Sequence, residues 1–573
     1  MTRSKSTFHV SPLSTMAAMV FTLLILGLFH VHAGAASIVS DIKLNGMDGK
    51  LNISSATTLS ATVQLDSGDE TGENAEWWIV AETPMGWYYY AYPDMWHFSE
   101  DGMESLMPAY EGALFTITEP LTVLRMTGLP VGAYVFYFGV DTAVNGRMDL
   151  ETMIYDRGDL EVATTDAAFD GYNLFAPMRS KTTYLIDNNG NTVHSWAGDY
   201  SPGVSVYLLE DGTLLRTADT GDETFNVGGA GGRVERLGWE GVRQWEFEYR
   251  SDQYRLHHDI EVLPNGNVLM IAWEMKTETE AIAAGRNPSL LGEGELWPDH
   301  VIEVAPTGTS GGNIVWEWHV WDHLIQDYDE AKENYGNVGD HPELIDLNYT
   351  STSDADWNHI NAVDYNADLD QIVLSVHGFS EIWVIDHSTI TSQAAGHAGG
   401  KSGKGGDLLY RWGNPQTYDA GDTSDQQLFV QHDAKWIETG LPGEDHILIF
   451  NNGQGRPEGN YSSVDEIVPP VNSDGGYTFA GGAAYGPTAP TWRYTATPPT
   501  DFYAQNISGA QRLPNGNTLI CQGPDGLFFE VTESGEKVWE YDYGGAVFRV
   551  NRYSPYYAGF IGTDLASGAT PVP

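Results

Sequence analysis

The sequence predicts an all-β protein, a small β-sandwich domain followed by a six-bladed β-propeller, and three observations predict it. Short runs of alternating apolar and polar residues, bounded by Gly, Asp and Asn, fill the chain, while helical periodicity is absent. A hairpin pattern of apolar run, turn and second apolar run recurs as "YLLEDGTLLRT", "EVLPNGNVLMIAWE", "AVDYNADLDQIVLSVH", "WIETGLPGEDHILIFNNG" and "QRLPNGNTLICQG". A tryptophan-bearing strand recurs six times, at Trp196, Trp245, Trp316 with Trp318, Trp412, Trp492 and Trp539. A hairpin plus a tryptophan strand every ~40–50 residues is the signature of a four-stranded unit repeated radially.

In chain order, residues 1–36 are expected to be a secretory signal peptide. Arg3 and Lys5 supply the positive start, Met16 to Phe29 the apolar core, and Ala33–Ala35 a small-residue cleavage site. That core is shorter than the ~18–20 residues a membrane-spanning helix needs. No cysteine lies near the cut for lipid attachment, and no later run is long and apolar enough to span. The mature protein is therefore expected in the periplasm or outside the cell. Residues 37–163, with runs such as "TTLSATVQL" and "GAYVFYFGV", are expected to form the N-terminal sandwich. Within it, "GVDTAVNGRMDLE" carries spaced oxygen ligands but lacks the acidic twelfth position of a calcium loop, so it reads as a hairpin turn. "EVATTDAAFDGYNLF" links into residues 164–573, the propeller, in which Ser392–Asp407 is a Gly-rich, flexible loop. The repeated tryptophans are expected to pack between blades.

Charge and cysteine content narrow the function classes. The net charge of −51, from 28 basic and 79 acidic side chains, repels nucleic acid and anionic membranes and excludes both as partners. An anionic substrate would have to be held by local cations against that field. Cys521 is the only cysteine, so no intrachain disulfide forms, and its place in "NTLICQG" reads as a small buried apolar residue.

Aligned on the residue before each turn, the hairpins place His258, His359 and His432 at one offset, with Val204 and Ser508 in the other two repeats. The innermost strand of each propeller blade starts at one mouth of the central channel, so equal offsets point the three imidazoles at one spot. The residues by themselves leave three chemistries open. These are hydrogen-bonded structural histidines, a zinc-type metal site (although no H-E-x-x-H is present), and nucleophilic catalysis by neutral imidazole.

"HHDIEVLPNGN", "DWNHINAVDYNADLDQIVLSVHGFSEIWVID", "QHDAKW", "FNNGQGRPEGNYSSVDE" and "LPNGNTLICQG" together resemble the bacterial arylsulfate sulfotransferase family, in order, from about Ala168 to the C-terminus. The resemblance implies a six-bladed propeller and a periplasmic enzyme needing no nucleotide sulfate donor. It also implies transfer of a sulfuryl group from an aryl sulfate to a histidine and then to a phenol. His432 matches the family's nucleophile, and His258, His359 and Asn361 match its supporting residues. One position departs: where the family usually has an arginine eighteen residues after the "HIN" histidine, this chain has His377. Arginine is a permanent forked cation, histidine a cation only when protonated. Arg456 in "GQGRPEGNYSS" is the candidate substitute. The disulfide that the family can carry is ruled out by the single Cys521.

On this reading, neutral His432 attacks sulfur through one ring nitrogen, with the other held by Asp433 or, if strand alternation turns Asp433 away from the channel, by a backbone carbonyl. His258, His359, Asn361 and His377 donate hydrogen bonds to the sulfuryl oxygens, and one of the histidines serves as general acid and base. Arg456, Ser508 and His257 are candidate substrate-binding residues, and Tyr207, Tyr254 and Trp357 candidate walls for the phenol that packing between blades also explains. No cofactor and no metal are expected. The expected partners are a small-molecule aryl sulfate donor and a phenolic acceptor, with a homodimer through the N-terminal domain left open. Three other classes stay in view: a non-catalytic secreted propeller used as a binding module, a metal-dependent hydrolase using the three-His ring, and a quinoprotein dehydrogenase, which "TESGEKVWEY" resembles.

Overall fold

The structure is a computed structural model that describes residues 37–565, apart from 55–56, 92–94, 100–101, 128, 131, 150–152, 164–167, 350–352 and 556. The signal peptide expected at 1–36 lies outside the described residues. The fold is all-β, built from many small sheets.

Two sheets come first. Val39–Leu44, Thr58–Asp66 and Ile117–Thr127 pair antiparallel, with alternating burial along Thr58–Asp66 that buries every second residue. A seven-stranded sheet centred on Asn74–Thr83, Gly132–Asp141 and Ile154–Ala163 packs against it over a shared core that includes Leu59, Val63, Ile79, Phe136 and Phe138. The stretch after Asp141 is a turn, in which the Asp141 carboxylate accepts the Ala143 N–H.

Six four-stranded antiparallel sheets follow. Sheets II to VI begin with inner strands Ser201–Leu208, Tyr254–Val262, Ile360–Asn366, His432–Trp436 and Gly509–Arg512. Sheet I draws its inner strand, Val547–Tyr553, from the far end of the chain and pairs it with Tyr172–Pro177, Thr182–Asp187 and Thr192–Ala197. Each of the five sequence hairpins is the first and second strand of a sheet, and each tryptophan strand is a fourth strand. The six inner strands touch in cyclic order, the sixth returning to the first, so the six sheets close into a ring. Between neighbouring sheets lie apolar layers, such as Trp245, Leu256, Met270 and Ile302 between sheets II and III.

This topology sets the two ends of the central channel apart. The histidines stand where the inner strands begin, and the hairpin turns stand at the other end. The N-terminal sheets rest on that other end, where Arg125 pairs with Glu444 at 2.6 Å and the Thr57 hydroxyl donates to the Asn515 carbonyl at 3.0 Å.

Candidate active site

The inner strands do not enter the ring straight. In sheets II to V the register with the second strand slips near the start, between Pro202 and Val206, Leu256 and Ile260, Ile360 and Ala362, and His432 and Lys435. These are β-bulges, which turn side chains that a regular pleat would send elsewhere. Left-handed backbone accompanies them at Val204 (φ 89°), His258 (50°) and His359 (51°), and recurs at Ser508 (86°) before the inner strand of sheet VI, which pairs without a slip; these positions share one sequence offset. In sheet V the left-handed residue is instead Asp433 (54°), one past His432. A left-handed non-glycine residue costs ~1–2 kcal/mol, so each ring position carries local strain that the surrounding ladder sustains.

The bulges bring the imidazoles into a chain of contacts. Ring centroids are 4.6 Å apart for His258 and His359, 5.0 Å for His359 and His377, and 5.4 Å for His377 and His432. Phe548 of the closing strand completes the circle, 6.0 Å from both His258 and His432. His377, at the end of the second strand of sheet IV, thus occupies the gap between two inner-strand histidines. His257 stands behind the circle, stacked on Trp273 at 3.8 Å, with its Nδ1 2.9 Å from that of His258 and its Nε2 3.1 Å from Asp299.

The orientation of His432 is fixed by Asn452, a residue that the sequence reading did not single out. The Asn452 amide N–H groups donate to the carbonyls of Ala504 and Ile507, both at 2.9 Å, so its oxygen must face His432 Nδ1, 2.8 Å away. Nδ1 therefore carries the proton and Nε2 the lone pair, which accepts the Ile507 N–H at 3.2 Å. Asp433 does not take this part. It faces the other way, to Arg549, to Lys435 at 3.0 Å and to the Ala510 N–H at 2.9 Å. The "FNNG" motif, one strand downstream of the histidine, was the available signal.

Electrostatics divides the histidines into two kinds. Burial lowers His432 to about 4, against the opposing pull of Asn452, so it is neutral at ordinary pH. Burial, and then the neighbouring imidazoles, also push His258 and His377 well down. His359 goes the other way. Burial pulls it down, but Asp356, by charge and by a 2.5 Å contact to Nδ1, outweighs that and raises it above its ordinary value. Asp356 is itself held by the Trp273 indole N–H at 2.9 Å.

The remaining sequence candidates fall outside the circle. One N–H of Asn361 donates to the Gln431 carbonyl at 2.8 Å, tying the strand after His359 to the residue before His432, so this amide positions His432. Ser508 is fully buried, and its hydroxyl is engaged by the Asn506 carbonyl and the Gly523 N–H; Ile507, one residue earlier, meets His432. Arg456 bonds to the Tyr461 carbonyl at 3.0 Å and to Ser463 Oγ at 2.8 Å, with its guanidinium over Tyr461 and Phe429. Tyr254 stacks on Tyr249 and Trp357 packs on Phe379, while Tyr207 donates to Asp259. The aromatic wall beside the histidines is instead Phe225, Trp273 and Trp297. The segment after Phe225 closes over His258: the Gly229 carbonyl accepts the His258 N–H at 2.8 Å, and a Cβ at Gly229 would lie 2.0 Å from the imidazole.

The family model of the arylsulfotransferases (ASST) matches residues 161–554. No curated protein matches the chain. Among solved structures, a protein of unknown function from Bacteroides caccae is 11% identical and aligns over 67% of this chain and 98% of its own, with a TM-score of 0.35. A streptogramin B lyase is 9% identical over 66% and 85%, TM-score 0.31, and virginiamycin B lyase from Staphylococcus aureus is 10% identical over 65% and 84%, TM-score 0.29. Likeness at that level carries no argument about chemistry. The family match does, because it spans most of the chain and every histidine of the circle. On that match, this chain belongs to the arylsulfotransferase (ASST) family, sulfotransferase enzymes that act on small molecules.

Proposed function

We propose that the protein is an exported aryl-sulfate sulfotransferase that moves a sulfuryl group from a phenolic sulfate ester to a phenol through an N-sulfohistidine at His432. In this reading residues 37–163 are a β-sandwich domain, and residues 164–573 are a six-bladed propeller whose inner-strand mouth is the active site. The observation that carries the proposal is the opposite perturbation of two histidines in one circle, His432 lowered and His359 raised. Groups whose environments push their pKa values apart are the mark of a nucleophile or base beside an acid.

His432 Nε2 attacks sulfur, leaving the Ile507 N–H, and the S–O bond to the aryl group breaks as the N–S bond forms. The His359 imidazolium, kept charged by Asp356, gives its proton to the departing phenolate. The acceptor phenol then returns a proton to His359 as its oxygen attacks sulfur, the N–S bond breaks, and neutral His432 is regenerated. General acid–base help of this kind is worth ~100–10,000-fold. His258 and His377 are neutral and can each offer one N–H to the sulfuryl oxygens. With His377 in place of an arginine, the permanent charge is missing and the His359 imidazolium is the one cation of the circle.

The test is His432→Ala assayed with 4-nitrophenyl sulfate and a phenol acceptor. Activity is expected to fall to below ~1% with circular dichroism unchanged, as for loss of an essential nucleophile. Quenching wild-type enzyme after exposure to donor alone is expected to leave a sulfuryl adduct on the peptide containing His432. Full activity in the variant would remove His432 as nucleophile, and an active enzyme without the adduct would mean direct transfer.

A further inference from the structure

We propose that His323, His397 and Asp407 form a zinc site between the outer strand of sheet III, Gly312–His319, and the loop joining the third and fourth strands of sheet IV, Glu381–Asp386 and Tyr410–Trp412. The site lies outside the histidine circle and shares no residue with it. One ring nitrogen each of His323 and His397 and one carboxylate oxygen of Asp407 all lie within 4.8 Å of one another. His323 Nδ1 is 2.9 Å and His397 Nδ1 2.7 Å from the same oxygen, Asp407 Oδ1. Tetrahedral zinc bonds of ~2.0–2.2 Å set ligand atoms ~3.3–3.5 Å apart, so a small outward shift of a ring makes room for the ion.

Three features favour a metal over a plain hydrogen-bonded cluster. His323 is fully buried, lies parallel to Trp318 at 5.6 Å, and has its Nε2 2.8 Å from the Ala394 carbonyl. A carbonyl only accepts, so Nε2 carries a proton and Nδ1 is the ring nitrogen aimed at the Asp407 carboxylate. A proton or a metal ion can join Nδ1 to the carboxylate, and a backbone carbonyl on the far nitrogen is how proteins orient a histidine ligand. His397 is exposed, its side chain 62% accessible, which leaves a route in and an outer position for water. Two imidazole nitrogens with one carboxylate select zinc over calcium or magnesium. Gly406 lets the loop close on the ring: a Cβ there would lie 2.0 Å from the Ala394 carbonyl oxygen and 2.7 Å from His323 Nε2. The Trp318 indole N–H holds the Gly406 carbonyl at 2.7 Å. Binding sends any proton on the two Nδ1 atoms to solvent and pins the Gly-rich segment that the sequence reads as flexible.

Chelator-stripped full-length protein is titrated with zinc chloride against a chromophoric competitor, and bound metal is counted by elemental mass spectrometry after dialysis. Wild type and His432→Ala are expected to hold one zinc per chain. His397→Ala, a change at an exposed side chain, and the near-isosteric Asp407→Asn are expected to bind at least ~100-fold more weakly, since even orienting residues cost 10–100-fold. Cobalt in place of zinc is expected to give visible d–d absorption that His397→Ala abolishes. No binding by wild type overturns the proposal, as does undiminished binding by both loop variants. Loss of the metal in His432→Ala would put the ion in the histidine circle and overturn it equally.

Discussion

Protonation of single residues decides whether the circle can work. Kinetics in kcat/KM report the free enzyme's essential groups. In the proposed mechanism His432 must be neutral, so activity is expected to be lost as pH falls through about 4. His359 must be charged, so activity is expected to be lost again as pH rises through its raised value, above the ordinary 6.5. Asp356→Asn removes the carboxylate that keeps His359 charged, and its signature is a shift of the alkaline limb to lower pH with the acid limb unmoved. An unshifted alkaline limb in that variant would mean that another group supplies the proton. The pH–rate profile of 4-nitrophenol release measures both limbs.

Elements contribute through their irregularities. A regular inner strand would alternate its side chains and could not present His258 and His359 from bulged, left-handed positions. Strain of this kind is testable without substrate. His258→Gly and His258→Ala both remove the imidazole, but glycine accepts φ near 50° at little cost. The glycine variant is expected to be more stable than the alanine variant by ~1 kcal/mol in urea unfolding, the reverse of the usual order for a strand. Equal stability would show that the bulge relaxes when the ring is removed.

At the scale of the whole molecule, one arginine ties the sheets together beneath the histidines. Arg549 of the closing strand meets Asp259 of sheet III, Asp433 of sheet V, and Ser205 and Tyr207 of sheet II, all in a buried setting. Both aspartates directly follow circle histidines in the chain, so the same strands carry the chemistry on one side and the cross-link on the other. Arg549→Met is expected to cost ~3–5 kcal/mol, the usual penalty for leaving buried charge unpaired, read as a lower urea midpoint at constant m-value. A loss below ~1 kcal/mol would mean that Tyr207 and Lys435 suffice for the two carboxylates. Many other arginines, Arg216, Arg411 and Arg552 among them, are buried against Glu235, Glu381 and Glu530. Each such pair is neutral, so burying it leaves the acidic excess behind the net charge of −51 with the rest of the chain. In the proposed reaction an anionic donor would reach the circle against that field, and His359, raised toward its charged form by Asp356, would be the group that meets it.

Hairpin turns, tryptophan strands and the shared offset of His258, His359 and His432 were legible in the chain because each is a local pattern repeated at intervals. His377 was legible only as a substitution against a family pattern. Phe548 and Arg549 were not, because their contacts are made across sheets, 116 residues from Asp433 for Arg549, and Asn452 and Asp356 were not, because which way a side chain faces its histidine, 20 residues away for Asn452 and three for Asp356, is set only by the folded strands. Asn361, Ser508 and Arg456 had the right chemistry in the right motifs; their donors are taken up by backbone carbonyls or by Ser463, while Asn361 Oδ1 is buried without a hydrogen-bond partner. The sequence by itself determined which strands form and where histidines begin them, since periodicity and turn chemistry act over a few residues. Folding in three dimensions settles which imidazoles meet, which nitrogen of His432 is bare and which ring is pushed toward its charged form, because burial and a neighbouring carboxylate exist only once the ring of strands has closed.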